Sequence, residues 1–399
     1  MGFRLHRPIA SLVALALAIV PVRAAAPVAA PLVPVVDALV APMPEISAPI
    51  GLLIDVNSGR VLFERQSHRR FVPASLTKIM TSYVAFKLID RGKLRLDQSF
   101  TMKPETFAKW HGVGSTMFLG NMSQTTVADL LEGIVTVSAN DGCVVLAEGV
   151  AGSVPAFTAM MNAEAKKLGL RNTHYNTPNG WMDEGQTWVS AADLAKLSMA
   201  LITRHPALYK RFYGHHQATL GGITQANHNP LYGHTEGADG VKTGFTNEAG
   251  YGLVGTAVRD GRRLMMVVGG YDRPNDRAEQ SRALLEWGFA AWTSQRLYRA
   301  GAHLGEAAVQ GGGARSVGLV APHDLALTLP AGASGKPSLA IRYKGPVRAP
   351  IAKGQPIATL VVRVAGQPDE ALPLVAADEV AKGGVLARLR DGFLAFAGR

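Results

Sequence analysis

The strand-like sequence of this chain falls into two blocks separated by a long helical stretch, and that separation constrains the fold most. Gly51-Leu52-Leu53-Ile54-Asp55-Val56 and Val61-Leu62-Phe63-Glu64 read as strands. Asn57-Ser58-Gly59-Arg60 supplies turn residues between them, so the pair reads as a hairpin. Strand character returns only late, at 251–258 and 262–268, on either side of the turn Arg259-Asp260-Gly261. Residues 93–237 read mainly as helices and loops, with clear helical runs at 126–137, 143–150, 154–168 and 191–203. A further helix is expected over 276–292, with Leu284, Leu285, Trp287, Gly288 and Phe289 facing a core. Early and late strands around a helical insert predict one antiparallel sheet with helices on both sides.

Three short motifs sit in this frame. The first is Ser75-Leu76-Thr77-Lys78, expected at the start of an apolar helix that continues through Phe86 and stops near Gly92. Residues three apart on a helix share a face, with Cβ atoms roughly 5–6 Å apart. A serine hydroxyl is a weak nucleophile until a base takes its proton. A lysine becomes that base when burial or a second cation lowers its pKa. Alone, Ser-x-x-Lys arises by chance about once in a chain of this length, and a helix start with a solvated lysine explains it as well. The second motif is Ser138-Ala139-Asn140, which by itself reads as a turn or cap. The third, Lys242-Thr243-Gly244, by itself reads as a strand end, here expected at the sheet edge beside Ser75. Together and in this order they form the Ser-x-x-Lys, Ser-x-Asn, Lys-Thr-Gly set of the penicillin-recognising serine enzymes.

The set assigns expected roles. Ser75 attacks a carbonyl to give an acyl-enzyme, Lys78 accepts its proton, and Lys242 lowers the Lys78 pKa by like-charge repulsion. Ser138 relays a proton to the leaving amine, and Asn140 holds the substrate peptide group and orients Lys78. The backbone N–H groups of Ser75 and Phe245 are expected to form the oxyanion hole, and Lys242 and Thr243 to bind a carboxylate. At this level the identity of the base stays open.

From about residue 48 onward the chain resembles the D-alanyl-D-alanine carboxypeptidases, the low-molecular-mass penicillin-binding proteins. Gly114-Ser115-Thr116-Met117-Phe118-Leu119, Ser138-Ala139-Asn140-Asp141-Gly142-Cys143, Asn172-Thr173-His174, Gly250-Tyr251 and Leu284-Leu285-Glu286-Trp287-Gly288-Phe289 carry the likeness beyond the three motifs. The resemblance implies an α/β (α+β) penicillin-binding/β-lactamase-like transpeptidase domain, with an antiparallel sheet flanked by helices, plus a small all-β C-terminal domain. It implies a substrate-binding set of Lys242, Thr243, Gly244, Phe245 and Arg277, the last matching a family arginine that meets the substrate carboxylate. It also implies removal of the terminal D-Ala from peptidoglycan pentapeptides and covalent inhibition by penicillins. Phe245 stands where many relatives have histidine. Only its backbone N–H serves the oxyanion hole, so activity is expected to survive.

Two enzymes and one non-enzyme compete with this reading. A class A β-lactamase needs a glutamate after the second motif to activate water, and residues 173–180 contain none. A D,D-endopeptidase shares the motifs but usually lacks the extra domain. A non-catalytic penicillin sensor or wall-binding protein is disfavoured by the intact Ser75, Lys78, Asn140 and Lys242.

The flanks of the chain bear on location. Arg4 and Arg7, the apolar stretch 9–20 and Ala24-Ala25-Ala26 read as a secretory signal over residues 1–26. The apolar stretch is shorter than the ~20 residues of a spanning helix, so cleavage is expected. The Ala-, Pro- and Val-rich residues 27–46 read as a flexible lead-in. Residues 47–296 then form the serine carboxypeptidase domain, 297–378 a β-sandwich cut by Pro and Gly, and 379–399 an amphipathic membrane-anchoring helix. In that helix Leu386, Leu389, Phe393, Leu394 and Phe396 would face lipid and Arg388, Arg390 and Arg399 the headgroups. The net charge is +11, and residues 1–26 contribute only three arginines to it, so the mature chain stays basic. A basic exported protein suits anionic membranes or cell wall, and export argues against nucleic acid. The expected location is therefore periplasmic, peripherally attached to the inner membrane. The single cysteine, Cys143, forms no internal disulfide and reads as a small buried core residue one turn beyond Asn140. No His-Glu-x-x-His or Cys-x-x-Cys occurs, the histidines show no ligand spacing, and no cofactor is expected.

Overall fold

The computed structural model describes residues 41–333 and 335–384. The expected signal (1–26), most of the lead-in and residues 385–399 of the expected C-terminal helix lie outside the described residues.

Ile50–Asp55 (β1) and Val61–Arg65 (β2) form the first hairpin. The Asp55 carboxylate ties its turn by accepting from the Asn57 N–H at 3.0 Å. A 3₁₀ turn at Ala74–Thr77 leads into the helix Lys78–Asp90 (α1). Every residue from Lys78 to Phe86 is buried, so α1 is a central core helix that is apolar nearly all round. Ser75 therefore lies in the 3₁₀ turn that precedes the α-helix, not in the helix itself.

The insert follows as Ser99–Thr101 (β3), Pro104–Trp110 (α2), Gln124–Thr126 (β4), Val127–Thr136 (α3), Asn140–Ala151 (α4), Val154–Leu168 (α5), Ala191–Arg204 (α6) and Pro206–Phe212 (α7). Its helices start where the sequence caps them. Thr126, Ser153 and Ser190 each accept from a backbone N–H of the first turn, at 3.1, 3.3 and 3.2 Å. A small hairpin, Gln217–Leu220 (β5) and Ile223–Ala226 (β6), precedes Ala238–Thr246 (β7), Gly250–Arg259 (β8), Arg262–Tyr271 (β9) and Pro274–Ala290 (α8).

The two strand blocks join in one antiparallel sheet of order β2-β1-β9-β8-β7, which leaves β7 at an edge. Side chains alternate across a strand, and both faces of this sheet are covered. Met265 and Val267 of β9 pack with α1 and the insert. Leu264, Met266 and Val268 pack instead with Leu284 and Leu285 of α8. Trp287 and Phe289 are only half-buried. The α8 helix also stops earlier than its apolar sequence suggests, because Trp292 already belongs to Trp292–Tyr298 (β10).

Beyond it stand His303–Gln310 (β11), Ser316–Val320 (β12), Leu325–Pro330 (β13), Ser338–Arg342 (β14), Val347–Arg348 (β15), Pro356–Arg363 (β16) and Glu370–Ala376 (β17). These strands form a small all-β unit. β10 pairs with β13, and the other six make a sheet of order β14-β16-β17-β12-β11-β15 around Leu319, Leu325, Leu360 and Leu374. The β1–β2 turn docks on it: Arg60 Nη1 meets Glu370 Oε1 at 2.9 Å, and the Ser58 and Thr328 hydroxyls lie 2.8 Å apart. Residues 379–384 correct one expectation. They are extended rather than helical, with Val380 bridged to Ile351 and Lys382 to Gly312.

Candidate active site

The site forms where the edge strand β7 meets the turn carrying Ser75. Ala74 takes a left-handed φ of +48°, which turns the chain sharply into α1. Gly244 of β7 lies against this turn. A Cβ there would sit 2.7 Å from the Pro73 carbonyl oxygen, so only glycine lets the strand approach so closely.

Lys78, the first residue of α1, is 1% exposed. Its Nζ lies 2.7 Å from Ser75 Oγ, 2.8 Å from Asn140 Oδ1 and 2.8 Å from the carbonyl oxygen of Asn179. The last two oxygens can only accept. A neutral amine has two N–H groups and one lone pair, so two acceptors take the N–H groups and the lone pair faces the Ser75 hydroxyl. Asn140 is held in register by its own Nδ2, which donates to Val113 O at 3.0 Å and so fixes which amide atom faces Lys78. Burial pushes the Lys78 pKa down to about 8, while Cys143 and Asp141 act weakly in the other direction. Burial is thus the leading cause of the depression, ahead of the like-charge repulsion expected from Lys242. Lys242 is held well below the ordinary lysine value too, by burial first and by repulsion from Lys78 second.

Ser138 lies between α3 and α4 with a left-handed φ of +64°, a strained conformation that places it in the wall of the cleft. Asp141 anchors the segment that follows the cleft residues Gly114 and Ser115: its buried carboxylate accepts from the N–H groups of Met117 and Leu119, each at 3.1 Å. Lys242 is 4% exposed, and among the described residues its Nζ donates one hydrogen bond, to Thr243 O at 3.1 Å. Arg277 of α8 is half-buried, lies over the Tyr251 ring at 5.4 Å, and keeps a buried Nε with no partner among the described residues. Phe245 is 46% exposed and stacks on Tyr251 with centroids 4.0 Å apart.

Ser75, Ser138, Asn140, Thr243, Gly244, Phe245 and Arg277 thus line one cleft of about 450 Å³, with Lys78 and Lys242 buried in its walls. Asn179, Trp181, Met182 and His228 line it too, and sequence reading missed all four. Asn179 contributes a backbone carbonyl to Lys78, and every residue type has one. The only trace in the sequence is Gly180, whose φ is +73° and where a Cβ would lie 1.8 Å from Ala74 O. Among the described residues no three His, Cys, Asp or Glu side chains gather as metal donors.

An antiparallel sheet between helices, with a Ser–Lys pair beside its edge strand, is the mark of the penicillin-recognising serine enzymes. The D-alanyl-D-alanine carboxypeptidase family matches residues 37–272, and the penicillin-binding protein 5 C-terminal domain matches 292–382. D-alanyl-D-alanine carboxypeptidase DacD of Salmonella typhimurium is 36% identical over 357 residues, covering 88% of this chain and 90% of that relative. The crystal structure of penicillin-binding protein 5 from Haemophilus influenzae aligns with a TM-score of 0.73 and 35% identity, over 85% of this chain and 99% of that one. Penicillin-binding protein D2 from Listeria monocytogenes, in its ampicillin-bound form, aligns with a TM-score of 0.54 and 29% identity, over 62% of this chain and 99% of that one. This chain belongs to the D-alanyl-D-alanine carboxypeptidase family, and its two parts have the fold of penicillin-binding protein 5.

Proposed function

We propose that the protein is a serine-type D-Ala-D-Ala carboxypeptidase that trims the terminal D-Ala from peptidoglycan pentapeptides, and that β-lactams acylate the same serine. The observation that carries this is the Lys78 environment, with two acceptors on its N–H groups and Ser75 Oγ at 2.7 Å. Ser75 Oγ attacks the carbonyl carbon of the penultimate D-Ala as its proton passes to Lys78 Nζ. Negative charge develops on the carbonyl oxygen and is met by the backbone N–H groups of Ser75 and Phe245. Collapse breaks the peptide C–N bond, and the departing D-Ala nitrogen takes a proton relayed through Ser138. Water then attacks the ester, Lys78 takes its proton, and the shortened peptide leaves with Ser75 restored. Asn140 orients Lys78 and the substrate amide, while Lys242, Thr243 and Arg277 receive the carboxylate of the terminal D-Ala. Burial with no carboxylate beside it among the described residues makes Lys242 costly to charge, and a substrate carboxylate would offset that cost.

The test is to incubate the purified protein with a D-Ala-D-Ala-ended peptide and with penicillin, and to follow D-Ala release and the adduct mass. Release of D-Ala and a penicillin adduct on Ser75 are expected, and Ser75→Ala should lose both. An adduct on any other residue, or turnover by Ser75→Ala, overturns the proposal.

We also propose that residues 47–291 carry the chemistry as one domain, ending short of the expected 296 because Trp292–Tyr298 (β10) pairs with β13, and that the protein is exported to the periplasm and held at the inner membrane through residues 385–399. The basic charge and the apolar and arginine residues of that segment support this. Truncation belongs after Gly384, because Gly383 N–H still bonds Gly311 O at 2.8 Å. The full chain should pellet with anionic vesicles and the truncated one should not; equal partitioning would remove the anchor.

A further inference from the structure

A second cavity lies where the five-stranded sheet and its helices meet the small all-β unit. α6, the β1–β2 turn, the β8–β9 hairpin and the β12–β13 loop enclose about 760 Å³, and no residue of the catalytic cleft lines it. Small-molecule sites favour such junctions and run to roughly 300–1,000 Å³. The floor is apolar. Val56, Leu168, Met199, Ile202 and Val258 line it, and all but Leu168 are half-buried. Val56, Met199 and Ile202 pack on the main core with one side and leave the other to the cavity.

Most polar side chains around this floor are already spent on the protein. Asn57 Nδ2 donates to Gly261 O at 3.1 Å, and its Oδ1 accepts from Arg263 N–H at 2.8 Å. The Arg263 guanidinium holds both Asp239 oxygens, at 2.8 and 2.7 Å. Thr203 Oγ1 donates to Met199 O at 2.8 Å. Asp324 accepts from Arg296 Nη1 at 3.1 Å and from Ala300 N–H at 2.8 Å, and His323 Nδ1 lies 2.9 Å from Asp324 O. Two cations of α6 are the exceptions. Lys196 Nζ makes one bond, to Gly169 O at 3.3 Å, and Arg204 Nη1 makes one, to Tyr83 Oη at 3.2 Å. Among the described residues no carboxylate pairs with either. They stand about 12 Å apart along the helix, on either side of Met199.

This lining selects the chemistry of an occupant. A peptide brings backbone N–H and C=O groups that need partners, and these side chains have few to offer. A hydrocarbon chain needs none. One anionic head answers the two unpaired cations. We propose that the junction groove binds a single-chain amphiphile with a carboxylate head, of the fatty-acid class. Its chain lies against Met199, Ile202 and Val258, and its carboxylate is met by the α6 cations Lys196 and Arg204. The site is independent of the carboxypeptidase reading and stands if that reading fails.

The test is calorimetry on the full chain, below the micelle concentration, with dodecanoate, dodecanol and dodecyltrimethylammonium as probes. Dodecanoate should bind at least ~tenfold tighter than the other two, which is what one charge-assisted hydrogen bond supplies. The double variant Lys196→Gln, Arg204→Gln should erase that margin. Met199→Trp, which fills the groove, should weaken dodecanoate binding at least ~tenfold. A melting curve without ligand shows that each variant is folded, and bound dodecanoate should raise the wild-type melting temperature but not that of Met199→Trp. Equal affinity for the three probes, or undiminished binding of dodecanoate by Met199→Trp, overturns the inference. So does tighter binding of a peptide of glutamate and leucine than of dodecanoate, which would make the groove a protein-docking site.

Discussion

Asn140 Oδ1 lies 2.8 Å from Lys78 Nζ, and the other end of the same amide donates to Val113 O at 3.0 Å. One side chain thus ties the base to the Val113 backbone, next to the cleft residue Gly114. Asn140→Ala removes both bonds and leaves a buried Lys78 N–H without its acceptor. Acylation by penicillin should fall at least ~100-fold, and stability by about 1–3 kcal/mol. Asn140→Asp puts a carboxylate beside Lys78 and should raise its pKa, moving acylation to higher pH. An Asn140→Ala protein acylated at the wild-type rate would show that the amide does not position the lysine.

The Lys78 pKa of about 8 sets a pH profile. The neutral amine is the reactive form, so the acylation rate constant should rise with pH and level off above about 8. Below that it should fall about tenfold per pH unit. Rapid-mixing rates with penicillin from pH 6 to 9.5 measure this directly. Lys78→Arg, charged throughout the range, should be inactive at every pH. A flat wild-type profile would assign the proton to another group.

Gly180 is the least forgiving position near the site outside the motifs. A Cβ there would meet the backbone oxygen of Ala74 at 1.8 Å, and φ is +73°. Gly180→Ala should cost about 1–3 kcal/mol by forced displacement. It should also slow acylation at least ~10-fold by moving the Asn179 carbonyl off Lys78. Melting and acylation measured on the same preparation check both effects. Normal acylation in a destabilised protein would show that the carbonyl is dispensable.

Cys143 is fully buried, and burial pushes its thiol up to about 12. The thiolate is the reactive form, so alkylating reagents should leave the folded protein unmodified and its D-Ala release intact. The same cysteine should label completely in denaturant. Stoichiometric labelling under native conditions would mean that α4 opens readily. A bulky adduct there should then impair turnover by displacing Asn140, one helical turn away.

The sequence by itself determined what depends on residue type and short-range order. The unbroken apolar run Leu264-Met265-Met266-Val267-Val268 marks a strand covered on both faces, and Met265/Val267 and Leu264/Met266 do divide between two cores. Helix capping is equally local: Thr126, Ser153 and Ser190 start helices because one side-chain oxygen meets one first-turn N–H. The motif spacing likewise places Ser75 and Lys78 within reach of each other whether the turn is 3₁₀ or α. Tertiary structure alone decided the rest. The Asn179 carbonyl reaches Lys78 through a backbone atom common to all residues, so no residue type signals it. The Lys78 pKa is set mainly by desolvation, a sum over everything packed around it. Trp292 leaves an apolar helical pattern because it pairs with Pro330 in β13. Val380 is extended rather than helical because Ile351 bonds it. In each case the deciding partner is distant in sequence and acts through backbone hydrogen bonds or excluded water, neither of which is written in the residues nearby.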